Sequence, residues 1–282
     1  MRGFLALLSL WAACLATAAA HAAVVTVSSS NRDTTIFQGS SGNSGGGQTQ
    51  MYAGTNGNGD SGDRALLSFD LTGVPAGTVQ SVTLSLNLSQ VAGGGMTGTD
   101  PTPHEIDLFA LARSWGEGTV NTGGGQGAAA NAGDATWSNS ASPSTAWTTA
   151  GGDHAAAISG AQLVGNVTGT IITWNSTATT LIGGATTLSN GSAVNNSQMV
   201  ADVQSWLSHP ATNFGWELIN TDEVDAKTFR AFSSRESTTA SLRPLLTITL
   251  VPEPGTLTIM ACGAVGLAGV GLRRRHQITR GR

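Results

Sequence analysis

Between Val24 and Leu250 the chain carries sixteen carboxylates against seven basic side chains, so any chemistry it performs has to be built from acids. Glycoside hydrolysis needs two carboxyl groups held at a fixed separation across the scissile bond. Glu105, Asp107 and Glu117 are the nearest such cluster outside the loops. Asp107 alternates with Ile106 and Leu108, however, which predicts a solvated or salt-bridged strand face. Elimination on a uronate needs a base, an acid and a group that neutralises the carboxylate. This stretch offers one tyrosine (Tyr52), one lysine (Lys227) and three histidines (His104, His154, His209), and no two of the histidines share a motif. No convincing active site is legible, and the pattern predicts a non-catalytic protein.

Two oxygen-rich loops suit calcium, which takes about six to eight oxygen ligands. Asn220-Thr221-Asp222-Glu223-Val224-Asp225 clusters three carboxylates on a turn, and residues 56–63 add Asp60 and Asp63. Asp60, Asp63, Asp222 and Asp225 are therefore candidate ligands for a structural calcium, although neither loop follows EF-hand spacing. Sugars stack on exposed indoles, and cores use the same side chain for its buried area. Trp206 and Trp216 lie on apolar stripes and are expected in the core, with Trp115 and Trp137 structural. Trp147 and Trp174 sit among Thr, Ala and Asn and are the candidate sugar platform. Arg64, Arg235, Glu236 and Arg243 fall at strand ends, where Arg–carboxylate pairs, with Asp70 among the partners, are expected. Residues 42–46 satisfy G-x-S-x-G and residues 57–62 satisfy G-x-G-x-x-G. The first lacks a flanking strand and helix, and the second leads into a strand, so neither holds a nucleophile or a pyrophosphate.

The elements that must position these groups are mostly strands. Apolar residues alternate in 64–71, 81–89 (Val82, Leu84, Leu86, Leu88), 105–112, 214–220, 228–233 and 245–250, with an edge strand at 24–28. A period of two over such lengths marks half-buried strands. Residues 198–207 instead place Met199, Val200, Val203, Trp206 and Leu207 on one helical stripe, with Asn196 or Ser197 to cap it and Pro210 to stop it. Residues 39–62, 92–103 and 121–133, rich in Gly, Ser, Thr and Asn, are expected to be surface loops. The fold class is all-β: a single jelly-roll sandwich with one short helix, spanning residues 24–250.

Both ends lie outside that domain. Residues 1–22 combine Arg2, an apolar run from Phe4 to Ala16 and Ala20-His21-Ala22, the layout of a cleaved signal peptide. At the other end, residues 255–272 contain no charge. As a helix they measure about 27 Å, enough to cross the inner membrane before processing. Arg273, Arg274 and Arg275 then stop transfer on the cytoplasmic side. Cys14 and Cys262 both fall in these ends, so the domain has no disulfide and no Cys-ligated zinc. Its seven basic and sixteen acidic residues give a net charge of −9. Phosphate recognition needs a basic face, so nucleic acid is not an expected partner.

Pro252-Glu253-Pro254, the apolar span and the Arg cluster together resemble the PEP-CTERM sorting signal (residues 251–282). The resemblance implies an exosortase-type processing protease as a partner and delivery to the cell envelope, cell surface or extracellular matrix. A second series runs through the domain: Asp33-Thr34-Thr35-Ile36, Arg64-Ala65-Leu66-Leu67-Ser68-Phe69-Asp70-Leu71, Trp115-Gly116-Glu117-Gly118-Thr119, Asp134-Ala135-Thr136-Trp137, Asp202-Val203-Gln204-Ser205-Trp206-Leu207, Asn213-Phe214-Gly215-Trp216, Phe232-Ser233-Ser234-Arg235-Glu236 and Arg243-Pro244. In that order these resemble the DNRLRE (disaggregatase-related) domain, some relatives of which are carbohydrate-binding modules. The resemblance implies a jelly roll that binds or organises exopolysaccharide. The rival expectations are a polysaccharide lyase or glycosidase, and a purely structural or adhesive protein.

Overall fold

The computed structural model describes residues 22–57, 61–93, 100–122, 125–178, 186–187, 193–194 and 198–252. Its strands in chain order are β1 (Ala23–Ser28), β2 (Arg32–Phe37), β3 (Asn43–Ser44), β4 (Gln50–Thr55), β5 (Gly62–Ser68), β6 (Gly77–Val91), β7 (His104–Leu111), β8 (Ala128–Ala129), β9 (Asn139–Ala141), β10 (Thr145–Ala146), β11 (His154–Val164), β12 (Ile171–Thr177), β13 (Thr186–Thr187), β14 (Ala193–Val194), β15 (Trp216–Asn220), β16 (Arg230–Ser233) and β17 (Leu245–Pro252), with helix α1 at Gln198–Ser208. Residues Val24–Val74 and Val79–Leu250 make one compact unit.

Hydrogen-bonded neighbours follow the order β1-β17-β6-β16-β4-β5-β15-β7-β11, with β12 also on β6 and β2 also on β5. Alternation explains the layers. Val82, Leu84, Leu86 and Leu88 of β6, Ile172 and Trp174 of β12 and Leu246, Ile248 and Leu250 of β17 share one core with Ala65 and Leu67 of β5, Ile106 and Leu108 of β7, and Trp216 and Leu218 of β15. Two sets of strands thus face each other across an apolar interior, an all-β sandwich, and β16 and β4 carry the sheet round the bend. β12 and β7 are not paired, yet the Trp174 indole donates to the Ile106 carbonyl at 3.0 Å and so stitches the two sides.

The helical stripe docks as its spacing predicts. Met199, Val200, Val203 and Trp206 are buried, and Trp206 tilts against Trp216 with centroids 4.7 Å apart. Asp202 anchors the helix: its Oδ2 accepts from Ser159 Oγ at 2.6 Å and from the Trp216 indole at 2.9 Å.

Parts of the loop reading need correction. Residues 39–62 contain β4, which pairs with both β16 and β5. Met51 and Ala53 face the core while Gln50 and Tyr52 face away, an alternation that surrounding glycines conceal. Gly54 explains one of those glycines: its φ is +108°, and a Cβ there would lie 2.6 Å from Asn220 Nδ2 and 2.9 Å from the Phe229 backbone. The outer face of β5 is covered as well. Leu66, Ile36, Leu111, Trp115, Ala135, Trp137 and Trp147 form a second apolar cluster with residues of the segment after β7.

Among the described residues, no helix is long and apolar enough to cross a membrane. Residues 1–21, the caps Asn196 and Ser197, Asp60, Glu253, Pro254, the 255–272 span and Arg273, Arg274 and Arg275 lie outside those described; Pro252 ends β17.

Candidate functional site

The bend in the sheet opens a groove of about 490 Å³, lined by Gln48, Thr49, Gln50, Tyr52, Asn56, Asp63, Gln90, Gly93, Asn121, Gly125 and Phe229. Strand register builds its floor. Tyr52 of β4 is paired with Ala231 of β16, and Ala231 with Gln90 of β6, and directly paired residues point to one face. Beneath lies a third apolar cluster of Phe37, Tyr52, Ala92, Phe229 and Ala231. The Tyr52 ring meets Phe229 edge-on at 5.7 Å, and its hydroxyl donates to Gln50 Oε1 at 2.9 Å. Gln50 Nε2 donates in turn to Ser89 Oγ at 3.0 Å. The result is a lining of amides and hydroxyls with two aromatic rings, and with no lysine or arginine among its residues.

One acid enters this groove. The pairing of β4 with β5 sets Asp63 opposite Gly54, on the groove side. It is 5% exposed. Burial, reinforced by the negative charge of Glu223, pushes its carboxyl up to about 8.

Glu223 belongs to a separate charged cluster. Arg64 clasps both of its carboxylate oxygens, at 2.9 and 2.8 Å, donates to the Gly151 carbonyl at 3.0 Å and lies 4.9 Å from the Trp137 ring centroid. Its Nη1 is 3.6 Å from Glu217 Oε1. Glu217 is fully buried on β15, and among the described residues neither of its oxygens has a hydrogen-bond partner. Burial pushes it up to about 8 despite Arg64. Gly152 closes over it, since a Cβ at that residue would lie 2.6 Å from both oxygens.

A third group brings Asp33, Glu117 and Glu236 together with ligand atoms within 4.8 Å of one another. Such a trio could face a cation, but two arginines already reach it. Arg235 Nη1 lies 3.0 and 3.2 Å from the two Glu117 oxygens, and the Arg235 amide donates to Asp33 Oδ2 at 2.8 Å. Arg32, which donates to the Trp115 carbonyl at 2.6 Å, also acts on Glu117. Arginine supplies the positive charge here. Desolvation drives the Asp33 carboxyl well above the usual carboxylate range.

The proposed sugar platform is overturned. Trp147 is 5% and Trp174 1% exposed; the first donates to the Thr136 carbonyl at 2.8 Å within the second apolar cluster, and the second fills the main core. Polar sequence neighbours misled because on β12 Thr173 and Asn175 point outward while Trp174 points inward. Glu105 and Asp107, expected on a solvated or salt-bridged face, are 5% and 4% exposed, and burial next to Glu105 raises Asp107 to about 7. Among the described residues Asp70 pairs with no arginine; it accepts from the Thr72 amide at 2.9 Å. The described carboxylates of the two candidate calcium loops fall in two places. Asp63 lines the groove, whereas Asp222 and Asp225 line a shallow cleft with Asp100 and His104. There His104 bridges Asp100, at 2.6 Å, and Asp222, at 3.3 Å. Sequence reasoning did not single out Gln50, Gln90 or Asn121, whose signal would have been polar residues on the outward positions of otherwise apolar strands.

Among curated proteins, none matches the chain. Residues 250–275 match the model of the PEP-CTERM protein-sorting motif, which bears on the tail and marks the chain as an exosortase-processed protein exported to the cell surface or beyond.

Proposed function

We propose that the exported domain is a non-catalytic glycan-binding module, which engages exopolysaccharide through the Gln50–Tyr52–Gln90–Asn121 groove. The carrying observation is the chemistry of that groove. Each amide can both donate and accept, which suits sugar hydroxyls that do the same, and the Tyr52 and Phe229 rings in the lining offer apolar contact to the C–H groups of a pyranose. The resemblance of the domain's motif series to the DNRLRE domain, and delivery by the sorting tail, support the same reading.

Affinity electrophoresis of the purified protein through gels containing host exopolysaccharide tests it. Retardation is expected for the wild type. Gln90→Ala, which trims the groove without touching the core, should weaken it about fivefold or more at an unchanged melting temperature. An unretarded wild type refutes the reading, and falling chain length of the polysaccharide would instead mark an enzyme.

A further inference from the structure

Resting on the reading of the groove as a glycan site, we propose that its preferred ligand is an amine-bearing sugar whose ammonium group seats against Asp63. Asp63 is only 5% exposed yet lines the groove, and none of the described residues donates a hydrogen bond to its carboxyl. The carboxyl is therefore held by the fold at the groove lining and left available to a donor on a ligand.

The neighbouring groups decide which ligand. From β4, Tyr52 presents a phenol already engaged with Gln50. From β2, the register partner is the apolar Phe37. From the turn after β15 comes Glu223, an anion whose counter-charge, Arg64, is spent on its own two oxygens. The remaining lining residues are neutral. A ligand carboxylate would meet the charge of Glu223 with no cation among the described lining residues to offset it, whereas an ammonium would form a charge-assisted hydrogen bond with the Asp63 carboxylate.

The protonation balance gives this assignment its own signature. Asp63, raised to about 8 by burial and Glu223, holds its proton in the empty groove below that pH. Pairing with an ammonium favours the carboxylate, so the proton leaves to buffer as the amine binds. A neutral sugar releases none.

Calorimetry at pH 6 on the full protein, in two buffers of different ionisation enthalpy, reads both quantities. The probes are the β-1,4-linked tetramers of glucosamine, N-acetylglucosamine and glucose, and a tetragalacturonate. The glucosamine tetramer should bind about tenfold or more tighter than the N-acetylated one and release up to about one proton; tetragalacturonate should bind weakest. Asp63→Asn should bring the glucosamine and glucose tetramers to parity and abolish the release, and Asp63→Glu should keep part of both, with melting temperatures confirming that each variant is folded. Equal affinity for the glucosamine and glucose tetramers, or amine binding without proton release, overturns the assignment and leaves the glycan groove standing. Binding of none of the tetramers overturns both.

Discussion

Replacing Glu217 with glutamine should make the domain more stable at neutral pH, against the usual outcome of altering a buried ion pair. The wild-type carboxyl is fully enclosed, its oxygens lack hydrogen-bond partners, and Arg64 Nη1 stands 3.6 Å away, with its stronger bonds going to Glu223. Its pKa is raised from 4.5 to about 8. Because the folded value exceeds the unfolded one, the folded state binds more protons between them, and stability falls as pH rises through that window. At about 1.4 kcal/mol per pH unit, the loss from this residue between pH 5 and pH 7 is about 2–3 kcal/mol. Asp63 and Asp107, raised to about 8 and about 7, push in the same direction. Asp70, Asp100 and Asp153 have lowered values, so their stabilisation is lost only below the ordinary carboxylate range and leaves this window alone. Urea unfolding followed by tryptophan fluorescence at pH 5, 6 and 7 measures the slope. Glu217→Gln should flatten it by the stated amount and leave Arg64 anchored on Glu223. A wild-type midpoint that holds level or climbs from pH 5 to pH 7, or a variant with the wild-type slope, refutes the reasoning.

Two further outcomes are expected. Trp174→Ala removes a core indole and its bond to Ile106, so it should cost about 3–5 kcal/mol in urea unfolding; a loss below about 1 kcal/mol would mean that the indole is not buried. Alanine at Pro252, Glu253 and Pro254 together should leave the chain unprocessed in the inner-membrane fraction, as an immunoblot of fractionated cells would report, whereas normal surface release would show that this motif is not the one read.

What the sequence disclosed follows from how local each signal is. Val82, Leu84, Leu86 and Leu88 alternate within one strand, and Met199, Val203 and Trp206 repeat within one helix; both periods survive in the chain because one element carries them. β4 was hidden because its outward positions hold Gln50, Tyr52 and Gly54, which read as loop residues. The groove was less legible still, since Gln50, Asp63 and Gln90 come from three strands that meet only through register. The same holds for Asp33, Glu117 and Arg235: the Asp33 amide meets Glu117 across 84 positions and Arg235 reaches Glu117 across 118. Arg–carboxylate pairing could be anticipated from composition, but the choice of Glu223 over Asp70 as the partner of Arg64 could not, because that choice is made by the turn after β15.

The place of β17 in the sheet has a consequence for export. The strand is threaded between β1 and β6, though it is the last of the domain to be synthesised and the last to emerge from a translocon. Among the described strands β17 is the neighbour of β1, and it supplies Leu246, Ile248 and Leu250 to the interior. The strand that completes the interior thus ends at Pro252, the first residue of the sorting motif, so the folded domain and the processing signal meet with no linker between them.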